Sequence, residues 1–351
     1  MAPSSHVVLA STFSESMSKL AGVLEAVGGF LAILLIVFFV AGRVTGRLQK
    51  PLAIIICLGP ALVLLTIGLV IPAINTMVLS TTNTQASGQK FTLLNGKLVP
   101  IKAKHVGWDN YKFAFTDPST RSTLIRTVLW IVIVPLVTVL IGLLLALLFD
   151  QMKRVTLAKS LIFLPTAISF VGASLIWALM YDYVGPGNPQ TGLLSEVVMK
   201  LGWKHPPNWL LSSPLNTFLI MVVLIWIEVG FAMVVLGAAL KAIPDEILEA
   251  ARMDGAIGIT LFRTVQIPMI RSTLIVVTTT ITIATLKTFD IVFTMTNGNY
   301  NTDILARQMY NELFVTNQTG RGSALAVILF LCVLPLVVYN VFQIRKDRAT
   351  R

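Results

Sequence analysis

The sequence predicts an all-α fold, a polytopic helical membrane bundle of about seven transmembrane helices, and three observations carry that prediction. Mean hydropathy is +0.82. Of 351 residues, 55% are hydrophobic and only 12% charged, far from the balance of soluble domains. The charges cluster between apolar runs, several of which approach the roughly 20 residues a helix needs to cross a bilayer. A soluble protein with a greasy core does not produce runs of that length.

Seven candidate spans follow, at 28–41, 52–79, 124–149, 161–181, 215–240, 273–293 and 324–342. The first is short for a bilayer. Its lead-in holds one Lys against two Glu and no clear cleavage site, so it reads as an anchor and not as a secretory signal. Pro60, Pro72, Pro135, Pro165 and Pro335 fall inside spans. Each removes a ladder donor and kinks a helix where neighbours compensate, which suits a gated pathway but is also common in any polytopic bundle.

Basic flanks set the orientation. Arg43, Arg47, Lys50, Lys153, Arg154, Lys159, Arg345, Lys346, Arg348 and Arg351 all fall on one side of an odd-numbered bundle. That side is expected to be the cytoplasm, with the N-terminus outside. The 81–123 loop, with five lysines, must then lie outside, and loops of that length translocate despite their charge. Within it, 81–96 is rich in Thr, Asn, Gln, Ser and Gly and reads as polar and flexible. Residues 185–192 form a turn cluster, and Trp209 after a Pro-Pro step suits headgroup level.

Several function classes are excluded. A net charge of +11 has no soluble basic domain to carry it, so contact with anionic lipid replaces a nucleic-acid partner. Cys57 and Cys332 sit alone in apolar runs, and His6, His105 and His205 are too scattered for a metal site. No Gly-x-x-x-x-Gly-Lys-Ser/Thr phosphate cradle occurs. No repeat of fixed period is visible.

The most informative stretch is the polar insert between the fifth and sixth spans, Ile243-Pro-Asp-Glu-Ile-Leu-Glu-Ala-Ala-Arg-Met-Asp-Gly-Ala-Ile-Gly258, continuing to Ile267-Pro268. Pro244 suits a first helical position, Asp245 and Glu246 suit the positive end of the helix dipole, and Gly255 suits a left-handed stop after Met253. Gly258 then opens a second short stretch, and Pro268 the next span. Two readings stand: a rigid lever that a partner grips, or an amphipathic interfacial helix between spans.

The insert resembles the Glu-Ala-Ala loop of the membrane-spanning subunits of bacterial binding-protein-dependent ATP-binding-cassette importers. Gly107-Trp-Asp-Asn-Tyr111, Asn208-Trp-Leu210, Thr296-Asn-Gly298 and Gly322-Ser-Ala-Leu-Ala326 resemble further segments of the carbohydrate importers, maltose-type larger subunits above all. Asn299-Tyr300 departs from that pattern by standing where the family has Gly-Pro. The likeness covers roughly 52–345.

It implies a six-helix permease core behind an N-terminal anchor. Residues 1–50 are then tail, anchor and basic link, 51–123 the first core helix and outer loop, 124–345 the core, with the ATPase-docking loop at 241–272, and 346–351 a basic tail. It implies docking through Glu249, Ala250, Ala251, Asp254, Gly255 and Ala256. The implied partners are two ATPase subunits, which hold ATP and Mg, a second permease subunit and an extracytoplasmic solute-binding protein. The resemblance further implies that the chain itself binds no cofactor and is no enzyme, and that it carries a sugar, a di- or oligosaccharide such as an α-glucoside, across the cytoplasmic (inner) membrane.

Ionisable groups at lipid depth face a bundle interior or a wet cavity. Glu228, Lys287 and Asp290 qualify, and the resemblance adds Phe231, Thr285 and Thr288 as sugar-contacting candidates. Hydroxyl and carboxylate groups suit sugar hydroxyls. The alternative is structural, a Glu228–Lys287 pair or a Lys287–Asp290 pair at i, i+3. A rival function is a stand-alone secondary transporter or channel using those three residues, whose expected mark is an internal repeat or paired broken helices.

Overall fold

The computed structural model describes residues 58–83, 91–94, 97–100, 104–150, 152, 155–185 and 187–349, with isolated helical positions between 17 and 39. The chain divides into two compact units, Met1–Asn75 and Thr76–Arg351. In order, the elements are α1 (Leu58–Leu79), the hairpin β1 (Phe91–Leu94) and β2 (Lys97–Pro100), α2 (Asp109–Thr116), α3 (Pro118–Asp150), α4 (Thr156–Ala167) and α5 (Phe170–Met180). Then come α6 (Leu193–Lys200), α7 (Leu215–Lys241), α8 (Asp245–Met253), α9 (Gly258–Lys287), α10 (Asp290–Thr296), α11 (Leu305–Tyr310) and α12 (Thr319–Ala349). Helices α1, α3, α7, α9 and α12 are long and apolar enough to cross a membrane, and the bent pair α4–α5 makes a sixth if it is one span. The anchor expected at 28–41 lies largely outside the described residues.

Helix α7 is central. Some 61% of its most apolar stretch is buried, against 39% for α9, 33% for α3 and 11% for α12. Between helices in lipid the hydrophobic effect discriminates little, so close packing and buried polar bonds hold the bundle. The sequence serves that need. On α3, Thr127, Trp130, Val134, Thr138, Gly142 and Ala146 recur every three or four residues and are all buried, one stripe of a single face. Gly230 lets the α4 backbone approach α7, since a Cβ there would lie 2.6 Å from the Ile162 carbonyl oxygen.

Three expectations need correction. The span at 161–181 is not one straight helix: α4 and α5 meet at 105°. Ile168 is extended (ψ 138°), and Ser169 opens α5 as its cap, accepting the Gly172 N–H at 3.1 Å. The span at 273–293 begins earlier, at Gly258, and stops at Lys287, where Thr288 turns extended (ψ 115°) and Asp290 starts a separate helix. Pro268 therefore does not open it. A π turn over Phe262–Gln266, closed by Ile267 N–H onto the Phe262 carbonyl, carries the helix past the proline. The wide turn removes the clash that a proline ring makes with an ordinary four-residue ladder. The same device, Thr66–Val70, precedes Ile71-Pro72 in α1.

The third concerns the 81–123 loop, whose polar character concealed β1 and β2, antiparallel with Phe91 opposite Pro100 and Leu94 opposite Lys97. Asn95-Gly96 between them is the hairpin signal that the sequence carried.

Candidate functional site

Helix α8 is built to stand alone. Pro244 is its N-cap, one position earlier than expected, with extended ψ (136°), and its carbonyl accepts the Ile247 N–H at 3.1 Å. Asp245 and Glu246 occupy the first turn and Arg252 the last, each sign matched to the dipole. At the C-terminus Gly255 N–H bonds the Arg252 carbonyl at 3.0 Å, and Ala256 N–H bonds the Ala251 carbonyl at 2.9 Å. Those two bonds form a Schellman stop, and Gly255 supplies its left-handed residue (φ +83°).

The helix is tied to the bundle by buried Ile243 before it, buried Leu261 after it and Leu248 packed on the main core. Glu249, Ala250, Asp254 and Gly255 are exposed, while Ala251 and Ala256 are half-buried. Beside them lie Met253, Ile257 and Ile259, exposed by 88%, 71% and 68%. A capped helix with a bare apolar patch and a charged face is chemically a docking surface.

The six candidate sugar contacts divide into groups. Glu228 and Phe231 lie i, i+3 on one face of α7, both half-buried. Thr285 and Thr288 are buried, their hydroxyls donated to the Ile281 and Ala284 carbonyls at 2.8 and 2.9 Å. Lys287 is exposed and opens on an apolar groove of ≈ 450 Å³ that includes Phe289, Tyr310 and Phe330 but not Glu228. Among the described residues no ion pair joins Glu228 to Lys287 or Lys287 to Asp290, so neither structural pairing forms. Nor do hydrogen bonds link these groups into a proton relay.

The densest polar constellation lies elsewhere and was missed. Arg307 and Asp303 pair at i, i+4, both largely buried. Arg126 Nε donates to the Asp303 carbonyl at 2.9 Å, and Asn216 Nδ2 donates to the Tyr300 carbonyl at 2.8 Å. Leu305 N–H reaches Thr127 Oγ1 at 2.9 Å, and Gln308 Nε2 reaches Thr120 Oγ1 at 2.7 Å. The turn between α10 and α11 is thereby fixed to α3 and α7. Its unusual backbone, with Asn297, Tyr300 and Asn301 all at positive φ, is held by those bonds. The Asp303-x-x-x-Arg307 spacing was the available signal. The other quoted motifs also make fixed contacts. Asn110 Nδ2 donates to the Ser80 and Thr82 carbonyls at 2.8 and 2.9 Å, and Trp209 Nε1 donates to Ser195 Oγ at 2.8 Å.

No family model matches the chain. It is 42% identical over 292 residues to the osmoprotective compounds uptake permease protein GgtC of Synechocystis sp., covering 83% of this chain and 99% of that one. It is 40% identical over 291 residues to the alpha-glucoside transport system permease protein AglF of Rhizobium meliloti, covering 83% and 82%. Against the sulfoquinovosyl glycerol transport system permease protein SmoG of Agrobacterium fabrum it is 30% identical over 299 residues, covering 82% and 89%. The fold matches a chain of a bacterial ABC transporter involved in import of the acidic polysaccharide alginate, with a TM-score of 0.68, 18% identity and coverage of 85% and 97%. With helices that bundle around α7 and relatives of this identity, the chain belongs to the membrane-spanning permease subunits of ATP-binding-cassette sugar transport systems.

Proposed function

We propose that this permease carries a di- or oligosaccharide such as an α-glucoside inward, and that α8 is the handle by which ATPase subunits drive it. One observation carries the reading: α8 is closed at its C-terminus by its own Schellman stop, and its end together with the start of α9 leaves Met253, Ile257 and Ile259 exposed. Two ATPase subunits, holding ATP and Mg, grip Glu249, Ala250 and Ala251 from the cytoplasm, and the N-terminus lies outside. A second permease subunit and an extracytoplasmic solute-binding protein complete the assembly. The relative named for alpha-glucoside transport supports the sugar class. A solved alginate transporter crystallised with a pentasaccharide-bound periplasmic protein supports the binding-protein partner.

Movement of α8 passes through Gly258 into α9 and through Ile243 into α7, and alternating access follows from re-aiming those two helices. Glu228 and Phe231 on α7 offer a carboxylate and an aromatic face to the sugar. Thr285, Thr288, Lys287 and Asp290 line the adjoining end of α9 and the start of α10. The stand-alone transporter is the weaker reading, because its three ionisable residues are not bonded to one another.

The test is disulfide trapping. Under a mild oxidant, Ala250→Cys in the assembled complex should form a disulfide with a cysteine introduced on the ATPase surface, and its yield should respond to ATP. Exclusive labelling of that cysteine from the exterior, with no cross-link, would refute both the docking and the orientation.

A further inference from the structure

We propose that the groove between α3, α4 and α7, at the α8 end of the bundle, binds the headgroup and upper acyl chain of an anionic phospholipid. That this end faces the cytoplasm rests on the proposed function, but the groove and its chemistry do not. The cavity has a volume of ≈ 210 Å³. Its apolar part is made by Met233, Val234 and Ala238, and its rim by Asp150, Lys159 and Lys241. A Cβ on Gly237 would sit 3.7 Å from the Ala146 Cβ, an ordinary contact, so α3 and α7 come close where these two residues line the groove and a larger side chain there would intrude on it.

The order along α7 is what a lipid requires. Met233 and Val234 come first, Gly237 and Ala238 one turn later, and Lys241 ends the helix. Met233 to Lys241 spans about 12 Å along the axis, deeper than the roughly 5–7 Å headgroup layer on each side of the hydrocarbon. The groove therefore holds both a headgroup and the first part of a chain. The half-buried Lys159 extends over the Phe149 ring, its Nζ 6.0 Å from the centroid. Among the described residues neither lysine is ion-paired, although Asp150 shares the rim.

Two ammonium groups against one carboxylate leave a net positive mouth above an apolar slot. A phosphodiester fits that mouth by charge and by hydrogen bonding. A zwitterionic lipid brings its own cation and gains less. An acidic side chain from a partner protein satisfies the lysines but leaves the slot beneath them empty, which favours the lipid.

The test uses the full chain in phosphatidylcholine nanodiscs doped with spin-labelled phosphatidylglycerol or spin-labelled phosphatidylcholine, reading the motionally restricted fraction. Phosphatidylglycerol should be preferred, each lysine contributing roughly five-fold. Lys159→Gln and Lys241→Gln should each lower the preference by about that factor, and Lys241→Arg should retain it. The double glutamine variant should retain only the background preference that the remaining basic flanks supply. Gly237→Leu fills the slot with both charges in place and should lower the phosphatidylglycerol preference to that of the double glutamine variant. Equal association of the two lipids with the unaltered chain overturns the proposal. So does a preference that the double variant leaves undiminished, or one untouched by Gly237→Leu. A reversed orientation of α8 is read from Ala250→Cys labelling and leaves these lipid ratios unmoved.

Discussion

The two ends of α7 show opposite ways of using polar residues. Near its start, Asn216 joins a constellation with Asp303, Arg307 and Arg126 in which each group has its partner inside the chain. Beyond its end, α8 closes its own C-terminus with backbone bonds and leaves most of its side chains in the open. About 40 Å of helix separates them. The lesson is that internal satisfaction marks structure, whereas internal capping with an unpartnered face marks a surface awaiting another molecule.

Four variants break or sharpen that contrast, and stability should fall most at the first and least at the last. Asp303→Ala strands the Arg307 guanidinium and should cost about 3–5 kcal/mol, measured as a lower thermal midpoint in detergent or loss of monodisperse protein. Gly230→Val drives a branched side chain into the α4 backbone and should cost about 1–3 kcal/mol, with uptake falling in step with stability. Gly255→Pro cannot adopt positive φ and removes the N–H given to Arg252, so it should cost about 1–3 kcal/mol while reducing ATP-driven uptake to background. Met253→Glu with Ile257→Glu should leave the midpoint within about 0.5 kcal/mol yet weaken ATPase recovery on co-purification. If the α8 variants destabilise the isolated chain as much as Asp303→Ala, the distinction between the ends fails.

What the sequence conveyed follows the range of its signals. The spans of α3, α7 and α12 were readable because unbroken apolar runs have few alternatives. The cap chemistry of α8 was readable because Asp245, Glu246 and Gly255 act within one turn. The 105° break at Ile168–Ser169 was not, since Pro165 announces a kink without its angle. The start of α9 was missed because a proline reads as a boundary, whereas the π turn before Pro268 neutralises it locally. The Asp303 constellation was hidden for another reason. Its partners Arg126 and Asn216 are far away in sequence, and only tertiary folding brings them together. Of the sugar-contact candidates, Glu228 and Phe231 were legible as one face because i, i+3 spacing is a local rule. The separate setting of Lys287 depended on where α9 stops.

The wide turn at Phe262–Gln266 has a geometric corollary. One surplus residue in a helical turn offsets everything downstream by about 100°, so the azimuth of Thr285 and Lys287 is indexed from that insertion and not from the helix origin at Gly258. Were the surplus residue squeezed back into an ordinary ladder, the half of α9 beyond it would swivel by that amount. If α8 is gripped as proposed, tightening or relaxing those five residues would re-point side chains some 30 Å away.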